Sequence, residues 1–246
     1  MKKPLKIVTS IAFTSTLLIG GSLIASADGG EYDTTGTISF TPYTGITDPI
    51  DPDNPDEKVE PKNPDGTDPI PGTTGPLSID FASSFDFGEQ AITSEDQTYF
   101  ATPQTILIDG IEEERANYVQ VSDNRGLETG WTLQVRQEEQ FKTEEAEELT
   151  GAAILISNVN VQTSSASSLP STVSSEIDLT AGVLSDVMSA EAGEGAGTYV
   201  ARFGGDAGDE NISTSVSLTV PGSTTKYAKE YSTNLTWVLT DAPGNS

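Results

Sequence analysis

The chain of 246 residues contains no cysteine and no histidine. Disulfide bonds are therefore impossible, so an exported form of the protein must be stabilised by a packed sheet core. Catalytic triads with a histidine base are excluded, as are zinc sites with histidine ligands. We expect no catalytic residues, no metal site and no cofactor.

Basic residues are also scarce. The chain has 12 lysines and arginines against 38 aspartates and glutamates, and three of the lysines lie within the first six residues. Without those three lysines the formal charge is 9 − 38 = −29. Such a field repels phosphate backbones and anionic lipid surfaces, so nucleic acid and bare membrane are poor partners.

Only one long apolar run is present, from Ile7 to Ile24, directly after the three lysines. Ala25-Ser26-Ala27 follows it and matches the small-x-small site of signal peptidase. Residues 1–27 are thus predicted to be a cleaved signal peptide, which makes the protein secreted. With no second apolar run, we expect no direct membrane insertion.

Residues 28–44 are predicted to carry an N-terminal strand. Apolar and small polar residues alternate from Gly36 to Thr41, which places Ile38 and Phe40 on one face. An isolated strand has no apolar partner, so we expect this one to pair with the main sheet.

Residues 45–76 form an acidic segment in which eight of 32 residues are proline. Proline removes backbone donors and fixes φ, and the intervening acids repel one another. We expect an extended, solvated loop that takes no part in a core.

Residues 77–246 are predicted to be the main body of a single all-β domain, a β-sandwich or a barrel-like fold. The basis is a series of short strand-like runs separated by turn signals. These runs lie near residues 77–81, 85–87, 105–111, 118–121, 130–135, 152–158, 216–220 and 234–240.

One stretch, Glu138 to Leu149, has a helix-like composition and holds six glutamates. A close carboxylate pair could hydrolyse a glycosidic bond, but that chemistry needs one carboxyl group buried and one exposed. Nothing in the sequence makes this distinction. A solvated, poorly ordered acidic stretch is therefore the favoured interpretation.

Three further stretches resemble known functional motifs. The acids of 51–56 and of 206–210 suggest calcium, but neither stretch has the Gly and Glu positions of an EF-hand loop. The stretch Leu169-Pro-Ser-Thr-Val173 resembles a sorting signal for covalent wall attachment. It has valine where that signal requires glycine, so covalent attachment is not expected.

The two tryptophans of the chain both occur as Trp-x-Leu, at Trp131 with Leu133 and at Trp237 with Leu239. Positions two apart on a strand point to one face, so each motif places an indole beside a leucine. The two motifs are either core ridges or exposed platforms for sugar rings. Further aliphatic residues share each face, which favours the core. We therefore expect the two motif strands to lie near each other, in one sheet face or across one core.

These motifs resemble the WxL-domain cell-surface protein family of low-GC Gram-positive bacteria. The resemblance rests on the stretches Gly130 to Val135 and Tyr231 to Pro243, and on lesser matches along the rest of the chain. It implies noncovalent association with cell-wall peptidoglycan and a place on the cell surface. It further implies other extracellular partners, among them a membrane-anchored protein, and roles in surface assembly or adhesion.

The resemblance carries over Trp131, Leu133, Trp237 and Leu239 as motif residues, without deciding whether they contact glycan or build the fold. The leading hypothesis is a non-enzymatic wall-binding protein. One alternative is a subunit of a surface complex whose wall contact is indirect. Another is a carboxylate-based glycan hydrolase.

Overall fold

The computed structural model describes residues 29–242, so the predicted signal peptide lies outside the described residues. The chain divides into two units, one ending at Ser39 and one from Phe40 onward. All of the strands belong to the second unit. Within residues 29–242 the secondary structure consists of strands and one short 3-10 helix, Glu210–Ser213. The all-β class predicted from the sequence is confirmed.

The strands are short, as the closely spaced turn signals predict. In chain order they are β1 (Glu60–Pro61), β2 (Leu77–Ala82), β3 (Gln97–Phe100), β4 (Gln104–Ile108), β5 (Ile111–Arg115), β6 (Asn117–Asp123), β7 (Trp131–Gln137), β8 (Ala153–Ile156), β9 (Val159–Gln162), β10 (Thr172–Val173), β11 (Ile177–Leu179), β12 (Leu184–Ala190), β13 (Gly197–Phe203), β14 (Val216–Val220) and β15 (Leu235–Thr240).

The strands form three four-stranded sheets and one three-stranded sheet, with antiparallel pairing throughout. We call β10-β12-β7-β15 the motif sheet because it holds both Trp-x-Leu motifs. The second sheet is β2-β6-β13-β9, the third sheet is β11-β8-β14-β3, and the small sheet is β1-β4-β5.

One main core receives side chains from the three four-stranded sheets. Leu133 comes from the motif sheet, Val121 from the second sheet and Ile154 from the third sheet, and each is at least 99 % buried. Each strand delivers alternate residues to the core, which is the period-2 pattern that the sequence displays. Burial of these aliphatic and aromatic side chains supplies the stability that disulfides cannot.

Most of the predicted strands are present, although several begin or end at other residues than predicted. The run 105–111 is interrupted by a tight turn, since Asp109 and Gly110 both have positive φ, 51° and 79°, as a two-residue hairpin between β4 and β5 requires. The run 85–87 is not a strand. Phe85 and Phe87 instead lie in an irregular segment and pack against the main core.

The predicted strand over Gly36 to Thr41 is wrong. These residues have no strand assignment, and the side chains of Ile38 and Phe40 are 80 % and 86 % exposed. Alternation alone does not make a strand, because a strand needs a partner for its backbone groups.

The prediction that residues 45–76 stay outside any core is also wrong. Val59 is 95 % buried in a second, smaller core with Phe81, Ile106 and Tyr118. β1 of this segment pairs with β4, and an isolated bridge joins Ile50 to Lys58. The segment is therefore a folded layer, because its few aliphatic residues find an apolar surface to cover.

The stretch Glu138 to Leu149 is not helical, contrary to its composition. Its backbone makes isolated bridges instead, from Lys142 to Glu148 and to Ser232. Phe141 and Leu149 are buried in the main core, while most of the glutamates between them are exposed. The expected solvation holds for those glutamates, but the expected lack of order does not.

Candidate functional site

The two Trp-x-Leu motifs lie on neighbouring strands. β7 and β15 pair antiparallel, with Leu133 opposite Leu239 and Val135 opposite Trp237. Opposite residues in an antiparallel pair share a face, so the motifs form one continuous apolar stripe. The prediction that the two motif strands lie near each other is confirmed.

Trp131 is completely buried. Its indole Nε1 donates a hydrogen bond of 2.9 Å to the backbone oxygen of Gly195, and its ring lies 6.0 Å from the ring of Tyr199. Gly195 has φ +78°, and a Cβ there would lie 2.6 Å from Nε1. The indole is therefore enclosed in the core and its one N–H donor is hydrogen-bonded, as the core interpretation of this motif predicts.

Trp237 is only partly buried, as is Leu239 beside it. Its ring stacks on Phe203 of the second sheet, with 6.1 Å between ring centroids and 9° between planes. The distal motif thus joins the motif sheet to the second sheet. The two tryptophans have the same sequence pattern and different exposure, because β7 is a central strand and β15 is an edge strand.

The Pro-rich segment is held to the body by buried ion pairs. Both oxygens of Asp51 accept hydrogen bonds from Arg115, at 2.8 and 2.9 Å, and both residues are more than 90 % buried. Asp53 accepts a bond of 2.6 Å from Arg202, which also pairs with Asp206. The bonds to Asp51 raise the pKa of the Arg115 guanidinium further above its usual value.

These contacts explain the two stretches that suggested calcium. Asp53 and Asp206 come from different stretches, and Arg202 bridges them. Within residues 29–242 no group of three acidic side chains is placed to hold a metal ion. The positive charge that these aspartates bind is arginine.

Gln120 of β6 is a second attachment point. Its amide oxygen accepts from the backbone nitrogen of Ile50, and its amide nitrogen donates to the backbone oxygen of Asp48. The same nitrogen donates to Asp80, a buried carboxyl group that also accepts from Ser122. Burial raises the pKa of Asp80, and the hydrogen bonds that it accepts offset part of this rise.

A cleft of about 650 Å³ lies between the Pro-rich segment and the body. Its lining combines proline and aliphatic side chains with seven charged residues, and Ile70 at the cleft is 89 % exposed. Sequence reasoning missed this cleft because it treated residues 45–76 as a solvated loop. The buried arginines of β5 and β13 were the available signal, since an arginine inside a strand of an acidic chain needs a buried carboxylate partner.

The acidic stretch offers no carboxylate pair with the asymmetry that glycoside hydrolysis needs. Glu138, Glu139, Glu144, Glu145 and Glu148 are exposed, and Glu147 is half-buried and pairs with Lys229. The pKa values of Glu138 and Glu145 are lowered, chiefly by hydrogen bonds from Arg136 and Lys229. A general acid needs the opposite shift.

In the described part of the chain, no helix has the length and apolarity that crossing a membrane requires. A family model described as a WxL domain, surface and cell wall-binding, matches residues 27–243. The match includes both motif strands and the Pro-rich segment, and the family is one of wall-binding domains, not of enzymes. No curated protein and no solved structure matches the chain significantly.

Proposed function

The chain belongs to the WxL-domain family of surface proteins that bind the cell wall, and we propose that it is a secreted protein that attaches noncovalently to peptidoglycan. It serves surface assembly or adhesion together with other extracellular proteins, one of them membrane-anchored. The observation that carries the proposal is the pairing of both Trp-x-Leu motifs on β7 and β15, within a family match that spans nearly the whole chain.

The motifs act in this proposal by holding the binding domain together. Trp131 has no exposed surface and its one polar group is already bonded, so it cannot stack on a sugar ring in the folded state. Trp237 is half-buried and its ring is stacked on Phe203. The surface that meets the wall therefore lies outside Trp131 and its neighbours on β7.

Our candidate for that surface is the cleft beside the Pro-rich segment. Concave sites lined by apolar groups with a few polar ones are the usual form of small-ligand sites. Peptidoglycan offers sugar rings and short peptides, which present apolar faces next to polar groups. The charged residues that line the cleft include Lys58 and Lys62, which are paired with Asp48 and Asp68.

The direct test is a pull-down of the purified protein on purified sacculi with no other protein present. We expect the sacculi to retain the protein. Absence of binding, with recovery when a second surface protein is added, would favour indirect wall contact. Clearing of the sacculi during incubation would instead support the hydrolase alternative.

Salt provides a second readout in the same assay. With a charge near −29 after removal of the predicted leader, the protein cannot rely on attraction to an anionic wall. Salt screens repulsion over about 10 Å at 0.1 M, so retention should stay constant or rise with added NaCl. A steep loss of retention with salt would contradict an apolar contact.

The cleft itself is tested by Ile70→Asp, which adds a charge at an exposed position of the cleft. Retention on sacculi should fall about tenfold, equivalent to about 1.4 kcal/mol, with the melting temperature unchanged. Leu127→Asp is the matched control, since Leu127 is 67 % exposed and does not line the cleft. Equal retention of both variants would remove the cleft from the proposal.

A further inference from the structure

The stretch from Thr34 to Thr47 holds no charged residue, although the chain carries a net charge of −26. Inside it, Ile38 and Phe40 alternate with small polar residues and are 80 % and 86 % exposed. Large apolar side chains exposed together on a strand-like segment are typical of an interaction site. The segment has the pattern of a strand and lacks a partner.

Among residues 29–242, no strand pairs with the outer edge of β15. The backbone nitrogen of Glu138 bonds the oxygen of Asn234, so residues 234, 236, 238 and 240 point their backbone groups toward β7. The backbone groups of Leu235, Trp237 and Leu239 therefore point outward. In the sheets of the described residues β15 pairs with β7 alone, so the outward groups of these three residues face no partner strand. β2 also lies near β15, but the two strands share no ladder.

Two other sheet edges are protected. Thr73 covers the edge of β2, since its nitrogen donates to the oxygen of Ile79 and its side-chain oxygen accepts from the nitrogen of Ile79. The edge strand β5 carries three successive glutamates, 112–114, and charge on an edge discourages pairing with another chain. The β15 edge has neither protection, since residues 234–240 are uncharged.

We propose that residues 36–41 of one copy add to β15 of a second copy as an antiparallel strand. In the register that the pattern favours, Ile38 lies opposite Trp237 and Phe40 opposite Leu235. This register puts Ile38 and Phe40 on the face that Leu235, Trp237 and Leu239 share. Pro42, which has no N–H, then lies opposite Thr233, beyond the end of β15.

The occupant is a second copy because donor and acceptor are matched in charge and pattern within this one chain. Both are uncharged, both are about six residues long, and both present apolar side chains at alternate positions. Main-chain bonds give such strand additions their affinity, and the alternate side chains give specificity. Because donor and acceptor surfaces differ, the contact closes when two copies exchange segments, and otherwise it continues from copy to copy. It does not depend on wall binding.

Cysteine cross-linking tests the contact, since the native chain has no cysteine. In the proposed register Ser39 lies opposite Thr236 at a non-hydrogen-bonded position, where Cα atoms are about 4.5 Å apart, within disulfide range. Mixing Ser39→Cys protein with Thr236→Cys protein should give a disulfide-linked dimer under mild oxidation. Ser39→Cys mixed with Leu127→Cys should give no more dimer than each protein alone.

The double variant with both cysteines in one chain separates the alternatives. We expect linked dimers or longer oligomers on a nonreducing gel. An internally linked monomer would show that the segment docks on its own chain and would overturn the proposal, as would no cross-link at all.

Assembly in solution provides a second test. In analytical ultracentrifugation the average molecular mass of the parent protein should rise with protein concentration. The double variant Ile38→Asp/Phe40→Asp should raise the dissociation constant of this association at least about tenfold. Both residues are exposed, so the variant should fold like the parent. Leu127→Asp is the control and should associate like the parent. A parent protein that stays monomeric, or a variant that associates equally well, would contradict the proposal.

Discussion

The pattern of residues 36–41 predicts a paired strand and the composition of residues 45–76 predicts a solvated loop, and the structure shows the reverse. The first stretch alternates like a strand, yet it is unpaired and exposed. The second is rich in proline and aspartate, yet it forms β1, buries Val59 and buries Asp51 against Arg115. The difference teaches that order depends on whether a segment finds partners for its groups, and that local propensity is a secondary influence.

The attachment of the Pro-rich segment is tested most strongly by Arg115→Met. The change leaves the Asp51 carboxylate buried without its counter-charge, which costs about 3–5 kcal/mol. Chemical denaturation should show a loss of this size. Protease Glu-C should then cut within residues 45–76, after Glu57 or Glu60, far faster than in the parent.

Arg136→Met is the matched control for that variant. Its ion pair with Glu138 is about one-third exposed on both sides, and exposed pairs contribute about 0–1 kcal/mol. If Arg115→Met were no more costly than Arg136→Met, the buried pair would not be what anchors the segment.

A smaller effect is expected from Asp80, which lies beside the segment through its bond with Gln120. Its pKa is raised in the folded state, so the folded protein binds this proton more readily than the unfolded chain does. The contribution of Asp80 to stability should therefore increase as the pH falls from 7 through the raised pKa, and level off near the unfolded value.

The measurement for Asp80 is denaturation of the parent and of Asp80→Asn across this pH range. The parent should gain stability relative to the variant on acidification. A parent that loses stability relative to Asp80→Asn would mean that the hydrogen bonds to Asp80 outweigh its burial.

The smallest effect is expected at Ile38. Its side chain is 80 % exposed, so Ile38→Ser should change the unfolding free energy of the monomer by less than about 0.5 kcal/mol. This should be measured at a protein concentration where the parent is monomeric. A decrease of about 2 kcal/mol or more in the unfolding free energy would show that the stretch is buried in its own chain.

Much of the fold could be predicted from local patterns. Clean alternation at 130–135 and 234–240 predicted β7 and β15, and aliphatic neighbours on the tryptophan face predicted that Trp131 is buried. Such inferences succeed because a strand delivers every second residue to the core. The prediction that the two motif strands lie near each other rested on both stripes needing one core. Their direct pairing depends on a register that no local pattern contains.

The rest depends on contacts between distant residues. Asp51 and Arg115 are 64 positions apart, and Asp53 and Arg202 are 149 apart, so no local pattern joins them. Phe141 and Leu149 lie among glutamates and nevertheless belong to the main core. Composition averaged over a segment hides single residues of this kind.

The central claim is that the Trp-x-Leu motifs build the core on which wall binding depends. Trp131→Ala tests it most directly, through thermal melting and sacculus pull-down on the same preparation. We predict a loss of about 3–5 kcal/mol, because a fully buried indole is replaced by a cavity, and a loss of binding in step with the unfolded fraction. Binding should return at temperatures where the variant is folded. A variant that melts like the parent and no longer binds sacculi would contradict the claim.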